Sequence, residues 1–60
     1  MAAVTIEIQY ESGTWRKHTS VANNQVRIKQ ALENAAKIAP AKKARAVDSQ
    51  TGQFIDMAVA

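Results

Sequence analysis

A polar turn that closes on glycine, Ser49–Gly52, most constrains what this chain can fold into. It lies between two runs suited to strands, residues 44–48 and 53–57. Glycine readily takes the positive φ that tight hairpin turns need. The last third of the chain therefore predicts a β-hairpin.

The register of this hairpin decides which side chains enter the core. A four-residue loop places Val47 opposite Phe54, and Arg45 then lies opposite Asp56 on the same face. The other face carries the aliphatic residues Ala44, Ala46, Ile55, Met57 and Val59. We assign that second face to the core because it has more aliphatic bulk. A one-residue slip at a glycine bulge would exchange the two faces, and this alternative stays open.

A second hairpin is predicted near the start of the chain. Residues 4–11 alternate apolar and polar side chains, which is typical of a half-buried strand. Ser12-Gly13 offers a two-residue turn, which opposes Tyr10 to Trp15 as an aromatic cross-strand pair in the core. Lys17 then falls on the inner face of an edge strand, where a lysine discourages pairing with other chains.

The segment between the hairpins has the pattern of one helix. Apolar residues recur at helical spacing over Ile28–Ala39, and Ser20, Asn23 and Asn24 are competent N-caps. Pro40 ends the helix because it lacks an amide hydrogen. We therefore predict an α+β fold of order ββαββ in one domain, residues 1–60, with one helix packed on one face of a four-stranded sheet. The strand order is either 2-1-4-3, as in β-grasp proteins, or a plain antiparallel layout.

Composition sets limits on stability and partners. The chain has 60 residues, no cysteine and one histidine, so we expect no disulfide, metal or cofactor. A chain this small needs an efficient core, self-association or a partner to be stable. Its net charge of +3 favours polyanions or acidic proteins. Residues 1–4 lack the basic start and apolar segment of a signal peptide, so we expect a soluble cytoplasmic protein that does not bind membranes.

No set of residues predicts catalysis. His18 follows two basic residues and has no carboxylate beside it, while Ser12, Ser20 and Ser49 occupy turn or cap positions. No two carboxylates are placed so that burial would raise the pKa of one of them. We expect a protein that is not an enzyme.

Two surfaces are candidates for binding. Val47 and Phe54 lie outside the predicted core, and with Arg45 and Asp56 at the rim they have the character of a protein interface. The alternative is a nucleic-acid site, in which an aromatic ring stacks on a base and basic side chains meet phosphates. Its candidate residues are Trp15, Arg16, Lys17, Lys42 and Lys43. Against it, we expect Glu7, Glu11 and Asp56 to interrupt the positive surface on the outer face.

Several short motifs are spread over residues 4–57: Trp15-Arg16, Thr19-Ser20, Asn24, Ala31-Leu32, Ala35, Arg45–Asp48, Thr51-Gly52 and Ile55-Asp56. In this order they resemble small proteins encoded by tailed bacteriophages and related mobile elements. The resemblance implies an accessory protein in the cytoplasm of a bacterial host, which acts by binding a host or defence protein or by trapping a small ligand. With the residue pattern, it predicts a non-catalytic binding module that forms a homo-oligomer, with nucleic-acid binding as the alternative.

Overall fold

A computed structural model describes residues 3–60 of the chain. Its elements are β1 (Ala3–Gln9), β2 (Trp15–Ala22), α1 (Gln25–Ile38), β3 (Lys43–Asp48) and β4 (Phe54–Val59). The predicted ββαββ order is confirmed. Met1 and Ala2, on which part of the signal-peptide prediction rests, lie outside the described residues. Within residues 3–60, no helix has the length and apolar character needed to cross a membrane.

The four strands form one sheet in the order β2-β1-β3-β4, and every neighbouring pair is antiparallel. The predicted α+β class is therefore confirmed. Of the two open strand orders, the antiparallel layout is correct and the β-grasp order is wrong, because β1 pairs with β3 rather than with β4. Since β1 is antiparallel to both neighbours, β2 and β3 run in the same direction. A connection between such strands needs a long crossover, and α1 supplies it.

The core lies between α1 and one face of the sheet, here called the helix face. Val4, Ile6 and Ile8 alternate along β1 and point into it, as the sequence pattern predicts. The remaining buried residues are Ile28, Leu32, Ala35, Ala36, Ala39, Ala44 and Ala46. Because alanines line both the helix and β3, the helix lies close to the sheet. The opposite side of the sheet, here called the outer face, receives no helix within residues 3–60.

Both ends of α1 follow from local chemistry. The Asn24 side chain accepts hydrogen bonds from the amides of Val26 (2.9 Å) and Arg27 (3.3 Å), so Asn24 is the N-cap. At the other end, Lys42 Nζ donates to the Lys37 carbonyl oxygen at 3.1 Å. This contact supplies a cation and a donor where helix carbonyls lack partners.

The first turn is longer than predicted. The Tyr10 amide donates to the Thr14 carbonyl (2.9 Å), and the Gly13 amide donates to the Tyr10 carbonyl (2.8 Å), which closes a three-residue loop. Gly13 has φ +91°, the position at which such loops use glycine. The extra loop residue pairs Trp15 with Gln9 instead of Tyr10. The predicted Tyr10–Trp15 pair is therefore wrong, and Trp15 lies on the outer face.

A β-bulge in β2 then restores the predicted register further from the turn. Lys17 lies opposite Glu7, whereas Thr19 lies opposite Ile6, so His18 is the extra residue. The predicted Ile6–Thr19 pair is confirmed. The inward placement of Lys17 is wrong, because its partner Glu7 belongs to the outer face.

The second hairpin has the predicted four-residue loop. Its bulge lies at Ile55 in β4 and not at the glycine. Gly52 has φ +75°, and the Asp48 carboxylate accepts hydrogen bonds from the amides of Gln50 (2.8 Å) and Thr51 (3.0 Å). Val47 lies opposite Phe54, as predicted. These hydrogen bonds fix the loop and hold the start of β4 in register with the end of β3.

One residue beyond Phe54 the register shifts, because Ile55 is an extra residue in β4. Ala46 now lies opposite Asp56, and Arg45 lies opposite Met57. The predicted Arg45–Asp56 pair is therefore wrong, and Asp56 belongs to the helix face. The placement of Met57 and Val59 in the core is also wrong. A bulge moves every later side chain to the other face, so both residues lie on the outer face.

Candidate functional site

The outer face is an open surface with a polar and an apolar half. Its polar half, over β2, β1 and β3, carries Glu7, Trp15, Lys17, Lys43 and Arg45. Its apolar half, over β3 and β4, carries Val47, Phe54, Met57 and Val59, here called the apolar strip.

A cluster of three side chains organises the polar half. The Arg45 guanidinium lies 4.4 Å from the centre of the Trp15 ring, and Arg45 Nε donates to Glu7 Oε1 at 2.7 Å. The Arg45 and Glu7 side chains are 34% and 21% exposed, so the pair is only partly screened by water. Three neighbouring strands contribute one residue each. Arg45 is therefore held in one orientation by a charge on one side and an aromatic face on the other.

The side chains of the apolar strip are largely exposed to solvent. Phe54 is 59% exposed, Met57 41% and Val59 64%, and Val47 beside them is partly buried. The bulge at Ile55 produces this grouping, because it sends Phe54 and Met57 to the same face although they are three positions apart. Neighbouring exposed apolar side chains of this kind mark binding surfaces more often than isolated ones do.

Three of the four residues predicted to bind a protein partner are brought together. Val47, Phe54 and Arg45 share the outer face, whereas Asp56 lies on the helix face. Sequence reasoning missed Met57 and Val59 as members of this surface, because it placed both in the core. The alternation along β4 would have placed them correctly only if Ile55 had been recognised as an extra residue.

The predicted nucleic-acid residues are not brought to one surface. Trp15, Lys17 and Lys43 lie on the outer face. Arg16 lies opposite Ile8 on the helix face, with its guanidinium 5.5 Å from the centre of the Tyr10 ring. Lys42 lies at the end of α1, as described above.

The distribution of acidic residues also differs from the prediction. Asp56 lies on the helix face, and Glu11 lies in the first turn. Within residues 3–60, Glu7 is the one carboxylate among the outward-facing strand positions. Its partner is Arg45, so the outer face keeps two cations, Lys17 and Lys43, that form no ion pair with any described residue.

Among residues 3–60, no polar or charged side chain is buried, and no three acidic or histidine side chains are grouped as for a metal ion. The amides of Thr51 and Gln50 donate to the Asp48 carboxylate and lower its pKa below the ordinary value, which suits the role of Asp48 in the turn.

An open cleft of about 320 Å³ lies between the start of α1 and β4. Gln25, Ile28, Lys29, Ile55 and Asp56 line it. Because Ile55 and Asp56 both face it, the bulge in β4 shapes this cleft as well as the apolar strip.

No protein-family model, curated protein or solved structure matches this chain. The chemistry of the outer face is therefore the basis for a function.

Proposed function

We propose that this protein is a non-catalytic binding module that recognises another protein through the outer face of its sheet. The observation that carries the proposal is the apolar strip, in which Phe54, Met57 and Val59 lie together and largely exposed. Aromatic residues, methionine and arginine are enriched in protein interfaces, and a few buried anchors usually supply most of the affinity. Phe54 is the natural anchor because it is the largest exposed apolar side chain of the strip.

Arg45 fits the role of a rim residue. It lies opposite Met57 on the neighbouring strand, so it borders the strip directly. Its contacts with Trp15 and Glu7 fix its side chain before a partner arrives. A preorganised side chain loses little conformational entropy on binding, which favours affinity.

The resemblance to small proteins of tailed bacteriophages supports a specific setting. We propose an accessory protein in the cytoplasm of a bacterial host, whose partner is a host protein or a second copy of this chain. A host protein that fits the strip has an apolar patch and an acidic or neutral rim, since the outer face carries an excess of positive charge.

The test compares two aspartate substitutions at sites of similar exposure. Phe54→Asp places a charge in the strip, whereas Val26→Asp places the same charge on α1, where Val26 is 65% exposed. Tagged wild-type protein and both variants are used to capture proteins from a bacterial lysate treated with nuclease. Any captured protein is then purified, and its Kd is measured by calorimetry.

We expect Phe54→Asp to weaken binding by at least about tenfold, the loss typical of a residue that anchors an interface. Val26→Asp should leave the Kd unchanged. Equal loss in both variants, or full binding by Phe54→Asp, would contradict recognition through the strip. Circular dichroism of both variants establishes that they are folded.

A nucleic-acid function is the second candidate, and one observation favours it. Because Asp56 lies on the helix face, the outer face is more positive than the sequence predicts. We rank it second because Arg45 is already paired with Glu7, which leaves Lys17 and Lys43 as the free cations there. So few phosphate contacts give only weak, non-specific affinity.

A further inference from the structure

The free edge of β4 is a second surface that the outer-face proposal does not use. The sheet has two edge strands, β2 and β4. The β2 edge is protected by the bulge at His18 and by the adjacent charges of Arg16 and Lys17. By contrast, Asp56 is the sole charged residue of β4. An apolar edge strand of this kind is a template for pairing with another strand.

The hydrogen bonds identify which main-chain groups of β4 are free. The Ala60 amide donates to the Lys42 carbonyl at 2.9 Å, so Ala60 faces β3. Alternation along the strand then directs the amides and carbonyls of Met57 and Val59 away from the sheet. The Met57 amide accordingly donates to the Asp56 carboxylate, at 2.8 Å, rather than to a neighbouring strand.

We propose that two copies of this chain pair antiparallel along β4, with Ala58 at the two-fold axis. Met57 of each copy then lies opposite Val59 of the other, and each such pair exchanges two main-chain hydrogen bonds. This pairing rests on the self-association that is part of the proposed function. It specifies the surface and the register through which the two copies associate.

This register suits a second copy because β4 is complementary to itself there. Each Met57–Val59 pair is an apolar cross-strand contact on the outer face. Asp56 lies opposite Ala60, so no like charges meet. A register with Asp56 on the axis would oppose two carboxylates, which is destabilising. In the favoured register the two sheets become one, and the apolar strips of both copies meet at the junction.

Asp56 sets the strength of this pairing. Its carboxylate holds the Met57 amide that the partner strand needs, so pairing must first displace it. The strand is short, and the buried area falls in the class of weak complexes, below about 1,200 Å² in total. The dimer should therefore form and separate with changes in protein concentration.

The first test separates main-chain pairing from side-chain packing at one position. Val59→Pro removes the outward amide without breaking a bond to β3, because proline is tolerated on the free side of an edge strand. Val59→Thr keeps the amide and the branched shape. Sedimentation equilibrium from about 10 μM to 1 mM, a range suited to a weak complex, should show a dimer for wild type and Val59→Thr and a monomer for Val59→Pro. Amide exchange provides a second measurement: protection of Met57 and Val59 should rise with the concentration of the wild-type protein.

The second test removes the competing carboxylate. Asp56→Ala should tighten the dimer about tenfold, as expected when two competing hydrogen bonds, one in each copy, are removed and each has a net value near the low end of the usual range. Glu33→Ala removes the same charge from an exposed position on α1 and should change nothing. Wild type and Asp56→Ala both remaining monomeric would overturn the proposal. A dimer that survives Val59→Pro but is lost in Phe54→Asp would overturn edge pairing and leave outer-face recognition standing.

Discussion

The contacts of Arg45 make a quantitative prediction about the outer face. Arg45→Met removes the charge and the hydrogen bond to Glu7 but keeps an unbranched stem over Trp15. A partly exposed ion pair contributes about 0.2–1 kcal/mol, and a cation over an exposed aromatic ring about 0.5–1 kcal/mol. Together they predict a loss of about 0.7–2 kcal/mol in the free energy of unfolding. For a domain of this size, that lowers the midpoint of thermal unfolding by about 3–16 °C.

A double-mutant cycle assigns this loss to its two contacts. Urea unfolding is measured for Arg45→Met, Glu7→Gln and the double variant, and again with Trp15→Leu in place of Glu7→Gln. We expect a coupling energy of about 0.2–1 kcal/mol with Glu7 and about 0.5–1 kcal/mol with Trp15, because residues in direct contact are not additive. Lys43→Met is the matched control, since Lys43 lies on the same strand and face and pairs with no described carboxylate.

The result that would refute this reasoning is specific. If Lys43→Met costs as much as Arg45→Met, the loss reflects charge or strand propensity and not the contacts of Arg45. Coupling below about 0.3 kcal/mol in both cycles, the ordinary error of additivity, would show that neither Glu7 nor Trp15 holds Arg45. Arg45 would then not be preorganised for a partner.

Two further predictions concern acid stability and nucleic acid. The amides of Gln50 and Thr51 lower the pKa of Asp48, so this stabilisation is present above about pH 4, near the ordinary pKa, and is lost as the pH falls through the lowered value. Asp48→Asn should therefore reduce the pH dependence of urea unfolding below pH 4, and an unchanged dependence would contradict the role of this carboxylate. For mixed DNA and RNA, we expect a Kd no tighter than about 10⁻⁶ M and a log–log salt slope of about −1.4 to −1.8, since Lys17 and Lys43 are the two unpaired cations among the described residues of the outer face. Anisotropy titrations of wild type and the Lys17→Gln/Lys43→Gln variant measure both, and sub-micromolar, sequence-dependent binding at physiological salt would favour the nucleic-acid function.

The sequence was sufficient for the order of the elements, for the limits of the helix and for the second turn. Asn24 and Pro40 delimit the helix by local chemistry. Gly52 closes the second turn because that turn needs a positive φ, which glycine adopts at little energetic cost. Val4, Ile6 and Ile8 give an alternation that no bulge interrupts, so the buried face of β1 was predictable.

The faces of the edge strands were less predictable for one physical reason. In β2 the extra residue lies in the first loop, and the bulge at His18 compensates for it, whereas in β4 the extra residue is Ile55, a residue type that does not signal a bulge. A single extra residue exchanges the faces of everything beyond it. Val47 and Phe54, which precede the bulge when counted from the turn, were placed correctly, whereas Met57 beyond it was not. The pairing of β1 with β3 is a long-range contact, for which local patterns carry no information.

The central position of β1 has a consequence for synthesis of the chain. β1 is made well before its second partner, β3, because Glu7 and Arg45 are 38 positions apart. Closing so long a loop costs entropy before any contact compensates it, so this step should limit the folding rate. Until β3 arrives, one side of β1 lacks a strand, and its valine and isoleucines have no complete core. The strand that is best protected in the finished protein is therefore the one most in need of protection during translation.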